Sequence, residues 1–458
     1  MGENSKSESG DSDHTDIRSP EAARTRAGRI LWWGNTAERL PDGALTVFPP
    51  PEDAMRHATC AVLFAALSGC GEDAQVTQPQ QDLSQLAAPQ YTVARLGSLG
   101  GTQSRGMAIN AQGWVAGWSN QPDGTRRAAL WKEGSITPIG TLGGPSSTVP
   151  WPGLNDAGIV VGISQTGESD PLHEDWSCEL GGFLLETTDL ICRGFVWQDG
   201  VTRELPSLGG HHSFATGVNN RGEVVGWAET AVHDSTCVDA QVLQFRAVVW
   251  DPKDGSSGRI KARELPPFGD NLASAATAIN DAGQVVGISG DCDQAVGRFS
   301  AKHAVLWEKN GKPTEIPNLG GTTWHTPMDI NAQGDVVGFS NPPGAGDPEG
   351  EFIARAFRWV NGAAKADDLK ALPGDLFSEA FAINAHGQVV GVSFGGASGS
   401  RAFIWQNGVL TNLNDLVDIA PDVLMSAQDI NDAGQITGRV RNGVTGEILA
   451  FVATPIAN

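Results

Sequence analysis

The chain has 458 residues, room for one large domain or several small ones, and 31 Lys and Arg against 53 Asp and Glu give a formal net charge of −22. A surface this acidic repels phosphate backbones and argues against nucleic acid as a partner. No apolar run reaches the roughly 20 residues that span a bilayer, and neither a P-loop string nor a zincin helix string occurs.

Residues 1–54 are polar, end in a Pro-rich run and show no clear period, so they are not expected to bury a core. Next comes "MRHATCAVLFAALSGC", Met55 to Cys70. A basic start, a short apolar run and small residues before a cysteine are the layout of a secretory signal peptide. The ending Leu67-Ser68-Gly69-Cys70 resembles a bacterial lipobox, which makes Cys70 the expected lipidated residue. A signal peptide belongs at the start of a chain, so Met55 is the expected true start and residues 1–54 a mis-called extension. The competing reading is a genuine amino-terminal segment. Residues 71–90 read as a polar tether.

From Tyr91 onward the chain repeats. "AINAQGWVAGWS" at Ala108 returns as "GLNDAGIVVGIS", "GVNNRGEVVGWA", "AINDAGQVVGIS", "DINAQGDVVGFS", "AINAHGQVVGVS" and "DINDAGQITGRV". The Asn positions are 110, 155, 219, 280, 331, 384 and 431. A spacing near 50 residues points to a propeller-type repeat. Gly follows each Asn by three residues, which suits a type I turn closing a bulged hairpin. A second Gly, from Gly117 to Gly438, falls inside the next strand and signals close approach by a neighbouring sheet or side chain.

Each unit then carries an apolar strand ending in Trp (131, 197, 250, 307, 359 and 405), which the seventh copy, "AFVA", lacks. Asp-Gly or Asn-Gly turns at Asp199, Asn310, Asn361 and Asn407 follow, and then a strand ending in strings such as "LGG". Four short strands per unit, seven times, predict an all-β fold: a seven-bladed β-propeller of four-stranded antiparallel blades spanning residues 91–458. A β-solenoid is the competing repeat fold, but the tight hairpins oppose it. The strand at Tyr91 precedes the first unit and no Leu-Gly strand follows the seventh, so the amino-terminal strand is expected to close the ring.

The units "AINDAGQVVG", "AFIW" and "LGSLGG" resemble the HAF-repeat family of extracellular bacterial proteins, over Tyr91 to about Asn458. The resemblance implies export and a propeller-like repeat, and no activity.

Both tight turns should share one face and the longer connections the other. From the strand Gly to the Trp the steps are 14, 35, 24, 20, 21 and 14 residues in units one to six. Variable loops on a rigid ring are where binding concentrates. Cys178, Cys192, Cys237 and Cys292 all fall in these loops, and an exported protein oxidises such cysteines. Of three possible pairings, Cys178–Cys192 within the longest loop and Cys237–Cys292 between neighbouring blades are favoured; free buried thiols are the alternative. His173, Trp176, His211, His212, His233, Trp324 and His325 are the binding candidates on this face. Imidazole with Glu174, Asp175 and Asp234 nearby is chemically suited to a metal. No pair has a diagnostic ligand spacing, so no metal and no cofactor is assigned. "GVSFG" at Gly391 matches a nucleophile-elbow string, but Ser393 belongs to the repeat's own Gly-x-Ser. Asp329 and Asp429 stand where other units have Ala or Gly, and would form a carboxylate pair if that strand lines the axis.

These readings predict a monomeric, lipid-anchored protein at the bacterial surface that binds an extracellular glycan, peptide or protein without catalysis. The alternative is a secreted polysaccharide hydrolase or lyase using loop-face His and carboxylates.

Overall fold

The computed structural model describes residues 90–174, 188–238, 240–252, 260–293, 298–345 and 352–456. The expectations for residues 1–54, the signal segment 55–70 with Cys70, and the tether up to Pro89 lie outside them. So do those for Trp176 and Cys178.

The chain is a seven-bladed β-propeller. Blade 1 holds Ser104–Ile109, Val115–Asn120, Arg126–Lys132 and Ser135–Pro138, in that order from the innermost strand outward. Blades 2 to 6 repeat the order, with inner strands Gly143–Thr148, Gly209–Val218, Ala273–Ile279, His325–Ile330 and Phe377–Ile383. Blade 7 takes three strands from the carboxyl end, Val423–Ile430, Ile436–Arg441 and Ile448–Pro455. Its fourth strand is Tyr91–Arg95, which pairs antiparallel with the last one, Tyr91 opposite Pro455 and Arg95 opposite Phe451. The ring is thus closed by the amino-terminal strand.

Each blade is apolar on both faces, and the repeat shows why. In the Val-Val pairs the first residue faces the preceding blade and the second the following one. Val224 packs with blade 2 residues Val161 and Val196. Val225 packs with blade 4 residues Ala276, Val285 and Trp307. Blades 4 and 5, 5 and 6, 6 and 7, and 7 and 1 are joined by clusters of the same make-up. The repeated Trp sits in these seams: Trp250 Nε1 donates to Pro206 O and Trp307 Nε1 to Pro266 O, in each case on the connection from the previous blade. In blade 7 Ala453 stands opposite Ile436, where other blades have Trp.

The Gly after Val-Val meets its own sheet rather than a neighbouring one. The inner strand is bulged here, as between Ala215 and Gly217. A Cβ on Gly226 would lie 1.8 Å from Phe214 O, and the other six copies meet inner-strand carbonyls at 1.9–2.2 Å. A side chain at this position is excluded by backbone, which fixes Gly in all seven units.

The recurrent Asn has an equally specific role. Asn110 Oδ1 accepts the backbone N–H groups of Gln112 and Trp114, which holds the turn together. Its Nδ2 donates to Asn155 O in the next blade. The same bond runs from Asn155 to Asn219, then to Asn280, Asn331, Asn384 and Asn431, and from Asn431 back to Asn110, all at 2.9–3.2 Å. Seven side-chain amides form a closed circle on the inner strands at the turn face.

Candidate functional site

The face opposite the Asn circle carries the long connections. Cys237 and Cys292 form a disulfide there, joining the corresponding loops of blades 3 and 4. Cys192 is buried and disulfide-bonded as well.

The connection after the second strand of blade 2 (Val160–Ser169) brings Asp170 and Glu174 against blade 3. There they meet His211 and His212 of the inner strand and Glu229 of the second strand (Val224–His233). Asp170, Glu174, His212 and Glu229 are all buried; only His211 is partly open, its side chain 30% exposed. Asp170 Oδ2 accepts from Glu174 N at 2.5 Å and lies 3.3 Å from His212 Nε2. Cys192 N donates to His212 Nδ1, so that nitrogen carries no proton and Nε2 donates to Asp170. Glu229 Oε2 accepts from the backbone N–H groups of His211 and His212. Glu174 Oε1 accepts from Val242 N, Leu243 N and Gln241 Nε2.

This environment separates the charges. Burial opposes ionisation of Asp170, but the bonds from His212 and Glu174 N outweigh it and hold the carboxyl well below its usual range. Burial, reinforced by Glu229, pushes Glu174 up to about 7. Burial disfavours the His212 cation, yet Glu229 and Asp170 raise its pKa overall. The Cys192 N–H aimed at Nδ1 opposes that second proton, and the geometry keeps the ring neutral.

The remaining candidates scatter. His173 is exposed and bonds to Asp189 at 2.8 Å. His233 is exposed at the end of its strand. Trp324 is buried against Phe352, with ring centroids 4.8 Å apart, and offers no open ring face. His325 is buried between Ser340 Oγ and Gly321 O, and burial lowers its pKa to about 4. Ser393 is buried; its Oγ accepts Leu372 N and donates to Asp375. Ser119, Ser164, Ser289 and Ser340 likewise accept the N–H of the connection entering their blade. The repeated Gly-x-Ser is therefore a device for docking connections.

Two buried charge groups lie elsewhere. Asp329 Oδ2 accepts Ile383 N of blade 6, and Asp429 Oδ2 accepts Ile109 N of blade 1. Burial raises Asp329 to about 6, while burial and the Asp329 charge raise Asp429 to about 8, so the two act as a pair. Glu379 is raised to about 7 by burial, against the pull of Arg105 and Arg439.

A cavity of about 310 Å3 opens on the loop face between blades 6 and 7. Its wall combines Arg401, Asn412, Asn414, Asp418 and Asp422 with the apolar Val417 and Ile419. Sequence reasoning missed it. The signal was there: the sixth unit replaces the usual Leu-Gly-Gly by "NLNDLVDIAPDV", a longer connection that makes a one-turn 3-10 helix at Leu413–Leu416. Asp170, Glu229 and Gln241 were also not singled out, because the first two look like ordinary strand ends.

No protein-family model matches the chain, and no curated protein matches it. Similar solved structures include the β-propeller domain of the Trilobed protease from Pyrococcus furiosus, with TM-score 0.46 and 10% identity over 78% of this chain and 99% of that one. The acylaminoacyl peptidase of Pyrococcus horikoshii gives TM-score 0.44 and 10% identity, over 78% of this chain and 52% of that one. Streptogramin B lyase gives 0.41 and 13%, over 80% of this chain and 98% of that one.

Proposed function

We propose that the chain is an exported, lipid-anchored propeller of the HAF-repeat kind that binds an extracellular ligand on its loop face and does no chemistry on it. The observation that carries this reading is the closure of the His–carboxylate cluster. A glycosidase needs two carboxyl groups that reach the scissile bond from either side. Here Asp170, Glu174 and Glu229 are buried and spend their oxygens largely on backbone N–H groups. The cavity between blades 6 and 7 is the favoured binding place, because convergent amide, carboxylate and guanidinium groups around a small apolar patch suit a glycan or a peptide. Export and anchoring rest on the Leu67-Ser68-Gly69-Cys70 string.

The test has two arms. Cells expressing the chain from Met55 are expected to incorporate labelled fatty acid into it, and Cys70→Ala to abolish the label; labelling of that variant would sink the anchor. The purified protein is screened against glycan and peptide arrays. Capture that Asn414→Ala with Asp418→Ala weakens at least about tenfold supports the cavity, while turnover of an arrayed glycan would replace the binding reading by the hydrolase one.

A further inference from the structure

The blade 2–blade 3 cluster gathers three buried carboxyl groups, Asp170, Glu174 and Glu229, and the two imidazoles of His211 and His212. Among the described residues, two of its polar atoms lack hydrogen-bond partners: Glu174 Oε2, in a fully buried side chain, and His211 Nδ1. Glu174 spends Oε1 on three donors and leaves the other oxygen aimed at the cluster. His211 Nδ1 lies 3.2 Å from Asp170 Oδ1 yet makes no hydrogen bond with it. A cation held among these atoms would give both of them a partner.

We propose that Asp170, Glu174 and His211 bind a first-row divalent cation, zinc first among them, which clamps the long blade 2 connection onto blade 3. One ligand atom from each of the three lies within 4.8 Å of the others. Tetrahedral zinc bonds of about 2.1 Å set donors about 3.4 Å apart, so the three side chains draw together as the ion binds. An imidazole with two carboxylates suits zinc, manganese or iron and disfavours calcium, which takes oxygen ligands alone. Neighbouring groups already orient two of the ligands: His212 Nε2 donates to Asp170, and Glu229 holds the His211 backbone N–H. His211, the one ligand open to water, provides the access route. His212 is not a ligand, because the Cys192 N–H and Asp170 occupy both its nitrogens.

The experiment uses the untagged full chain, stripped with a chelator and titrated with zinc chloride in a calorimeter. One equivalent is expected to bind, and cobalt in its place is expected to give visible absorption bands of mixed nitrogen and oxygen coordination. His211→Ala should weaken binding at least about tenfold. Glu174→Gln keeps an oxygen for the Val242 and Leu243 N–H groups and should lose affinity likewise. His173→Ala, on the exposed loop, should bind as the parent does. Absence of stoichiometric binding, or binding that survives His211→Ala unchanged, overturns the site even if Glu174→Gln fails to fold.

Discussion

Asn431 donates its side-chain amide to the backbone carbonyl of Asn110 at 2.9 Å, although 321 residues separate them. This bond closes the circle of seven amides and answers why one turn is written seven times. The oxygen of each Asn builds its own hairpin and the nitrogen ties that hairpin to the next blade. No other residue offers two acceptor sites and two donors at this reach. Asn219→Ala removes bonds from Arg221 N and Glu223 N and to Asn280 O. It is expected to cost about 2–4 kcal/mol in denaturant unfolding. Asn219→Asp keeps the hairpin bonds but sets a carboxylate oxygen against Glu223 Oε2 and Asn280 O, and should cost no less. A loss for the alanine variant no larger than about 0.5 kcal/mol would remove the circle's claim to a structural role.

Ring closure by Tyr91–Arg95 can be tested by deletion. Removing residues 91–99 strips the outer strand from blade 7, exposes the edge of Ile448–Pro455 and uncovers the seam around Tyr91. Each large apolar side chain re-exposed costs on the order of 2 kcal/mol. The whole ring is expected to melt earlier, in one transition, because each blade leans on its neighbours. An unchanged melting temperature would mean that the ring does not depend on this strand.

The Asp329–Asp429 pair makes stability depend on pH in a stated direction. Both folded pKa values, about 6 and about 8, exceed the unfolded value near 3.9. The folded chain thus holds more protons, so the pair's contribution is full below about pH 4 and is lost as pH rises through those two values. Asp429→Asn removes one charge. The stability of the parent relative to this variant is expected to fall from about pH 4 to about pH 8. Glu174 and Glu379 titrate in both chains and cancel in the difference. Parallel curves would show that the pair titrates like ordinary surface carboxylates.

The disulfide Cys237–Cys292 spans 55 residues, which a chain-entropy model values at about 4 kcal/mol. The blades it joins are already packed through Val225, Ala276 and Trp307. Reduction should therefore raise protease cleavage in the blade 3 and blade 4 loops before it lowers the unfolding midpoint of the ring, as read by limited proteolysis beside denaturant melts. Simultaneous loss of both would show that the bridge holds the ring itself.

Fold and site were legible to different degrees for a physical reason. Backbone-level rules repeat, so Asn110, Gly117 and Trp131 announce blade, turn and seam seven times over, and the ring follows. The second Gly announces a close approach, which Phe side chains make at Gly162, Gly391 and Gly438, but the inner-strand bulge whose carbonyl crowds Gly226 leaves no mark in local pattern. Sites are built once. Asp170 meets His211 through a connection between blades, and Glu229 joins them from a strand position that reads as ordinary. His211 and His212 were visible as unusual residues, but only the fold says that one is open and the other buried. Trp324 shows the reverse: an aromatic in a variable loop suggests a ligand platform, and the loop uses it as its own core.

Ser393 separates the binding reading from the hydrolytic one at the residue where the sequence most resembles a nucleophile. Its hydroxyl accepts Leu372 N at 2.9 Å and donates to Asp375 Oδ2 at 2.8 Å, and Asp375 is itself paired with Arg401. No His faces it in these contacts. Ser393→Ala leaves Leu372 N without its acceptor and is expected to cost about 1–3 kcal/mol. Ser289→Ala, which removes the same acceptor from Phe268 N in blade 4, should cost a similar amount. A ligand held in the blade 6–7 cavity should bind Ser289→Ala with the affinity of the parent, whereas Ser393→Ala releases Asp375, the partner of the cavity's Arg401, and should weaken it, once each is measured below its melting point. An esterase or peptidase activity that Ser393→Ala abolishes and Ser289→Ala spares would show that the hydroxyl does chemistry, and the structural account of the repeat serine would fail at that position.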